Sequence, residues 1–217
     1  DSNTLGPQSH PGWVEYLAEI VTKKFDKVSI INAGVYGYSS YQGLMRFKEI
    51  LNYKPDMVFI SFGSNDAHLV RVSDKDYVSD KRFFNKFMMR FKLFQLLFAL
   101  SDKLIMRVKS DKLLVHRVSL KDYEANLNQI VSLAKERDIK PVLLTRPFID
   151  TSPHELWWKN SGPDYNNLIL KIAEEKNVTA IDIYAYFKDK EEFFTDESHF
   201  IDEGNRNGLL ESGETVS

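Results

Sequence analysis

A serine becomes a useful nucleophile only when a base stands within hydrogen-bond reach, and that base needs a group to fix its tautomer. This chain carries such pieces at its two ends. It opens Asp1-Ser2-Asn3-Thr4, and near the other end it reads Asp196-Glu197-Ser198-His199. His199 can take the proton of Ser2. Asp196, three positions earlier, can fold back within one turn to hold the imidazole and stabilise the imidazolium that forms. The chemistry open to this set is attack on an ester carbonyl, and the oxyanion that develops needs donors fixed in advance. Candidates are the backbone N–H of Ser2, the backbone N–H of Gly37 and the side-chain amide of Asn65, within Gly63-Ser64-Asn65-Asp66. Glycine suits such a place because it lets a substrate approach the backbone closely. Gly34, in the same loop as Gly37, is its rival.

These residues need elements to hold them. Trp13, Leu17, Ile20, Val21 and Phe25 recur at helical spacing and predict an amphipathic helix over about 12–25. Val28-Ser29-Ile30-Ile31 reads as a short buried strand. The loop Asn32 to Gly37 follows, then a helix over about 40–52 and a break at Pro55-Asp56. Met57 to Phe62 reads as a second strand ending at Gly63. Tyr123, Leu127, Ile130, Val131 and Leu133 mark a helix over 120–138. Pro141 to Thr145 reads as a third strand, Asp164 to Lys176 as a helix, and Val178 to Asp182 as a fourth strand. Continuous apolar strands spaced by helices indicate a parallel sheet covered on both faces, here of about five strands. Such sheets place their sites beyond the C-terminal strand ends, and every candidate catalytic residue is expected in a post-strand loop. A single domain over 1–217 is expected, interrupted by a long insertion at about 67–118.

The same residues carry a family resemblance. Asp1-Ser2-Asn3-Thr4 resembles the first block of the SGNH (GDSL-type) hydrolases without its leading glycine. Asn32 to Gly37, continuing to Ser40, resembles the second block, Gly63-Ser64-Asn65-Asp66 the third, and Asp196 to His199 the last. Each motif alone is weak, but four in family order spanning the chain make a strong signal. The resemblance implies a three-layer α/β/α sandwich with a parallel, flavodoxin-like sheet, and ester or thioester hydrolysis with no metal and no cofactor. It implies Ser2 as nucleophile, Asp196 and His199 as the rest of the triad, and Ser2, Gly37 and Asn65 around the oxyanion; Gly37 fits the family's spacing from Asn32 better than Gly34. The sequence departs from the family in two places. The family has a buried strand before its nucleophile motif, so residues ahead of Asp1 are expected. After the histidine the family continues into an apolar helix, whereas Gly204-Asn205-Arg206-Asn207-Gly208 leads here to a polar tail.

Composition narrows the alternatives. A formal net charge of -2 gives no global reason to bind nucleic acid. With no cysteine, a thiol nucleophile, disulfides and Cys-ligated zinc are all excluded. No stretch approaches the roughly 18 apolar residues of a membrane-spanning helix, and no targeting segment is visible. Histidines His10, His68, His116 and His154 show no metal-ligand spacing. Within the insertion, Lys81 to Leu113 is basic and rich in Phe, Met and Leu. It reads as a helical cap packed on the domain, with a lid over the site as the sharper alternative. Its apolar residues crowd more than one face, which favours packing over membrane contact. Trp157 and Trp158 are placed in the loop after the third strand, where they could stack on sugars or plug a core edge. Arg146, directly after a strand end, is a candidate contact for an anionic substrate, and His68 for the cleft. The expected substrate is a small acyl ester, including O-acetyl groups on carbohydrate. An O-acyltransferase using the same triad is the nearest alternative, and a non-catalytic binding module on the same fold is one of a different class.

Overall fold

A computed structural model describes residues 2–6, 12–77, 114–149, 156–195, 199–201 and 203, with the side chains of 2, 3 and 156–160 outside that description. Asp196 and the basic stretch 81–113 lie outside the described residues.

Local sequence accounts for most of the elements. Helix α1, Ser2–Leu5, is a single turn. Helix α2, Trp13–Lys24, has Glu15 in its first turn and Lys23 and Lys24 in its last, complementing the helix dipole. Helix α3, Ser40–Ile50, starts on a capping box in which Ser39 and Gln42 satisfy each other's backbone N–H groups. A 3-10 turn at Leu51–Tyr53 extends it. Strand β1 is Met57–Ile60, and α4, Ser64–Ala67, follows it after three residues. Strands β2, Leu69–Val70, and β3, Val115–His116, pair antiparallel and form the stem of the insertion. Helix α5, Leu120–Lys135, buries Tyr123, Leu127, Ile130, Val131 and Ala134, an i, i+4, i+7, i+8, i+11 stripe. Strand β4 is Lys140–Leu144, α6 is Leu156–Lys176, β5 is Thr179–Ile181 and α7 is Ile183–Phe187.

The parallel sheet has the order β1-β4-β5 among the described residues. Its register pairs Phe59 with Val142 and Val142 with Thr179. Side chains alternate across a strand, so the two faces can be told apart. Val58, Ile60 and Leu143 join one core with α3, α5 and α6 through Phe47, Leu127, Ile130 and Ile169. The opposite face carries Phe59, which meets Trp13 of α2 edge-on at 6.1 Å. Helices therefore cover both faces of the sheet, the α/β/α arrangement expected. Helices α5 and α6 end alike: Asp138 and Asn177 take left-handed φ of 57° and 48°. Ile139 N–H then bonds Ala134 O, and Val178 N–H bonds Ala173 O. Each stop turns the chain directly into the next strand.

Three readings differ from the structure. Val28 to Ile31 forms no strand; Val28 is 40% and Ile31 49% exposed. A strand exists only by pairing, and this segment has no ladder partner among the described residues, whatever its β-branched content. The sheet accordingly has three described strands rather than about five. The last long helix starts at Leu156 rather than Asp164, so Trp157 and Trp158 lie in its first turn and not in a loop. Pro163 reads locally as a helix start because it lacks an N–H, yet the helix runs through it. Packing of Tyr165, Ile169 and Ile172 into the core outweighs the one lost hydrogen bond.

Candidate active site

Blocks that lie far apart in sequence come together beside the loop that follows β1. Helix α1 rests on the loop 32–36. Asn32 Nδ2 donates to Thr4 O at 3.0 Å, and Tyr36 Oη donates to Gly6 O at 2.8 Å. A Cβ on Gly34 would stand 2.6 Å from Leu5 N and 2.9 Å from Thr4 C, so Gly34 is required by this close approach. Its own N–H is taken by Asn32 Oδ1 at 2.9 Å. Gly37 differs on both counts. Its φ is +68°, the left-handed region, and a Cβ there would meet open space. Among the described residues no atom would stand within 4 Å of that Cβ, and glycine adopts this conformation readily.

The block after β1 comes against the same loop. Asn65, in the single turn of α4, donates from Nδ2 to Tyr38 O at 3.2 Å, one residue past Gly37. Asp66 is fully buried and accepts from Ser40 N–H at 2.8 Å and Gly63 N–H at 3.1 Å, joining the starts of α3 and α4. Burial pushes its carboxyl up to about 6, against the pull of the Ser40 and Gly63 donors and of the more distant Arg117. Asn126 Nδ2 donates to Ser40 Oγ, and Tyr123 Oη donates to Phe62 O, so α5 braces both starts from below. Neither Asp66 nor Asn126 was singled out from the sequence. The signal that could have found Asp66 is its place three residues after Gly63, where its carboxylate can cap the turn.

Arg146 follows β4 and is 4% exposed. Its Nε and Nη2 donate to Ser64 Oγ at 3.2 and 3.1 Å, and its backbone N–H and C=O are both held by the Asn166 amide. Burial lowers its guanidinium to about 10. Its described side-chain bonds thus go to the Gly63–Asp66 block. His68 ends α4 on the exposed side, and partial burial of its ring, then the charge of Arg117, holds its imidazole below the ordinary histidine range.

His199 belongs to a loop reached from β5 through α7. Its carbonyl accepts from Thr195 N–H at 2.8 Å and Thr195 Oγ1 at 3.2 Å. A bridge between Phe194 and Phe200 flanks these bonds, with Phe187 tilted on Phe200 at 4.6 Å. Thr195 and His199 are thus held together at the two ends of the last motif, whose residues 196–198 lie outside the described residues. The Ser2 backbone is placed in α1, its side chain lies outside the description, and Asp196 falls between Thr195 and His199, also outside it. Among the described residues, no group of three or more His, Asp or Glu side chains is arranged to hold a metal ion.

The GDSL-like lipase/acylhydrolase family matches residues 1–206, nearly the whole chain. The chain belongs to this family of carboxylic ester hydrolases. Among curated proteins it is similar to an uncharacterised lipoprotein, YqeF of Bacillus subtilis, at 33% identity over 88 residues; the match covers 38% of this chain and only 36% of that protein. The fold is similar to that of the acetyl xylan esterase AlAXEase, with a TM-score of 0.67 at 18% identity, covering 100% of this chain and 96% of the other. It is also similar to Axe2, an acetylxylan esterase from Geobacillus stearothermophilus, with a TM-score of 0.61 at 20% identity over 93% of this chain and 80% of that one. At these identities the likeness is one of fold.

Proposed function

We propose that the protein hydrolyses small acyl esters through a serine acyl-enzyme, with O-acetylated carbohydrate as the favoured substrate class. The observation that carries this reading is the convergence of α1, the Gly37 loop and Asn65, with Asn65 Nδ2 3.2 Å from Tyr38 O and open space over Gly37. His199 removes the Ser2 proton as Ser2 Oγ attacks the ester carbonyl, and Asp196 steadies the imidazolium. Ser2 N–H, Gly37 N–H and the second N–H of the Asn65 amide receive the oxyanion. Collapse expels the alcohol, protonated by His199, and leaves acyl-Ser2. Water, deprotonated by His199, then releases the acid. The assignment of Gly37 over Gly34 is supported by the Gly34 N–H already being bonded to Asn32. The acetyl-carbohydrate class is supported by the shared fold with two acetyl xylan esterases.

The test is labelling with a fluorophosphonate, adduct mapping by peptide mass spectrometry, and turnover of acetylated xylo-oligosaccharide beside long-chain aryl esters. Stoichiometric adduct at Ser2 that disappears in His199→Ala is expected, with acetyl substrates preferred. Asn65→Ala should lower kcat about 10²–10³-fold, the cost of one oxyanion donor. Labelling elsewhere, or near-normal turnover by Asn65→Ala, would sink the assignment.

A further inference from the structure

The Gly37 loop carries glycine in a left-handed conformation over open space, a geometry that glycine enters easily and leaves as easily. An N–H that must already point at a developing charge needs something outside the loop to hold it. Arg117 occupies that place, 80 residues away in sequence. Its Nη1 donates to Gly37 O at 2.7 Å. Its Nε lies on the Asp74 carboxylate, 2.8 Å from Oδ1 and 3.0 Å from Oδ2, and its Nη2 donates to Gln42 Oε1 at 3.2 Å. Both partners are largely buried, with side-chain exposures of 22% and 12%. Asp74 also accepts from Ser39 Oγ, and Gln42 Oε1 from Ser39 N–H, so the cap of α3 shares the network. Tyr38 N–H bonds Val35 O, so the Gly37–Tyr38 peptide is held at both its C=O and its N–H.

We propose that Arg117, oriented by Asp74, is the positioning residue that fixes the Gly37 loop for oxyanion binding. The inference rests on the oxyanion role given to Gly37 above. Arg117 is also tied to the other donor block: its backbone N–H bonds His68 O, and the next residue, Val118, bonds Asp66 O. One residue at the stem of the insertion therefore spans the two loops that carry Gly37 and Asn65. A planar guanidinium can serve Gly37, Gln42 and Asp74 together, which a lysine cannot.

The experiment compares Arg117→Gln, Arg117→Lys and Asp74→Asn with the unsubstituted protein. It measures kcat and KM on p-nitrophenyl acetate, the thermal midpoint, and hydrogen exchange of peptides covering 33–40. If Arg117→Gln loses most of one oxyanion donor, kcat falls about 10–100-fold, with KM within about twofold. Arg117→Lys recovers part of that loss through its single charged bond to Gly37 O. The 33–40 peptides exchange faster in Arg117→Gln, while those of β4 do not change. Combined with Asn65→Ala, the Arg117→Gln loss is smaller than in the wild-type background, because both act on one oxyanion. A kcat that is unchanged, that declines only in step with the thermal midpoint, or that falls without faster exchange at 33–40 overturns the proposal. Should the wild-type protein itself fail to label or turn over, the esterase reading falls. The exchange data then decide alone whether Arg117 holds the loop.

Discussion

Asp66 is where the fold and the site meet, and its protonation should be measurable in stability. Its carboxyl is fully buried, and burial raises its folded pKa from the ordinary 3.8 to about 6. The folded protein thus binds this proton more tightly than the unfolded chain. The resulting stabilisation is complete below the unfolded value and is lost as pH rises through about 6. A shift of about two units corresponds to about 3 kcal/mol at full protonation, of which about 2 kcal/mol is present at pH 4.5 and almost none at pH 7.5. Other carboxylates contribute in both directions, so the quantity to measure is a difference. Urea denaturation of the wild type and Asp66→Asn across pH 4.5 to 7.5 isolates it. The wild type should gain about 2 kcal/mol on the variant as pH falls across that window. The absolute difference at pH 7.5 is a balance. The variant removes a buried charge but can serve only one of the Ser40 and Gly63 donors, and an unmet donor costs about 1–3 kcal/mol. A flat difference, or one of opposite slope, would refute the claim that desolvation outweighs the hydrogen bonds from the Ser40 side chain and the Ser40 and Gly63 backbone.

Other outcomes follow from single contacts. Gly34→Ala drives a methyl into the backbone of Leu5 and Thr4. Phosphonate labelling of Ser2 should slow sharply in it, whereas Gly37→Ala meets no atom and should cost only about 1–2 kcal/mol of left-handed strain by thermal unfolding. Gly43→Ala would place its Cβ under 3.0 Å from three ring atoms of Phe62. Forcing that ring aside should lower stability by about 1–3 kcal/mol in denaturant titration. Arg146→Gln removes the guanidinium from Ser64, so kcat should fall to the same degree for neutral and anionic esters. A KM rise confined to anionic esters would instead make Arg146 a substrate contact.

The regular elements were legible because their causes are local. The apolar stripe of α5 and the continuous strand β4 are each written within 20 residues, and so is the Ser39–Gln42 box that starts α3. The four motifs were legible for the same reason, and so was the place of the Gly63–Asp66 block just after β1. What the sequence could not decide depends on neighbours distant along the chain. Val28 to Ile31 has the composition of a strand but no partner among the described residues, and hydrogen bonding, not side-chain type, makes a strand. Pro163 marks a helix start by its own chemistry, yet the core contacts of Tyr165 and Ile169 carry the helix through it. The family's spacing already favours Gly37 over Gly34, and the physical reason is tertiary: the packing of Leu5 against Gly34, with no described atom within 4 Å of a Cβ on Gly37. Arg117 sits near the end of the insertion and was not singled out from the sequence. Its role exists because the β2–β3 stem turns it back onto Gly37, 80 residues earlier. Composition and periodicity determine which residues can do chemistry and which segments can carry them. Which groups are held still, and by what, is decided by contacts that only the closed tertiary structure makes.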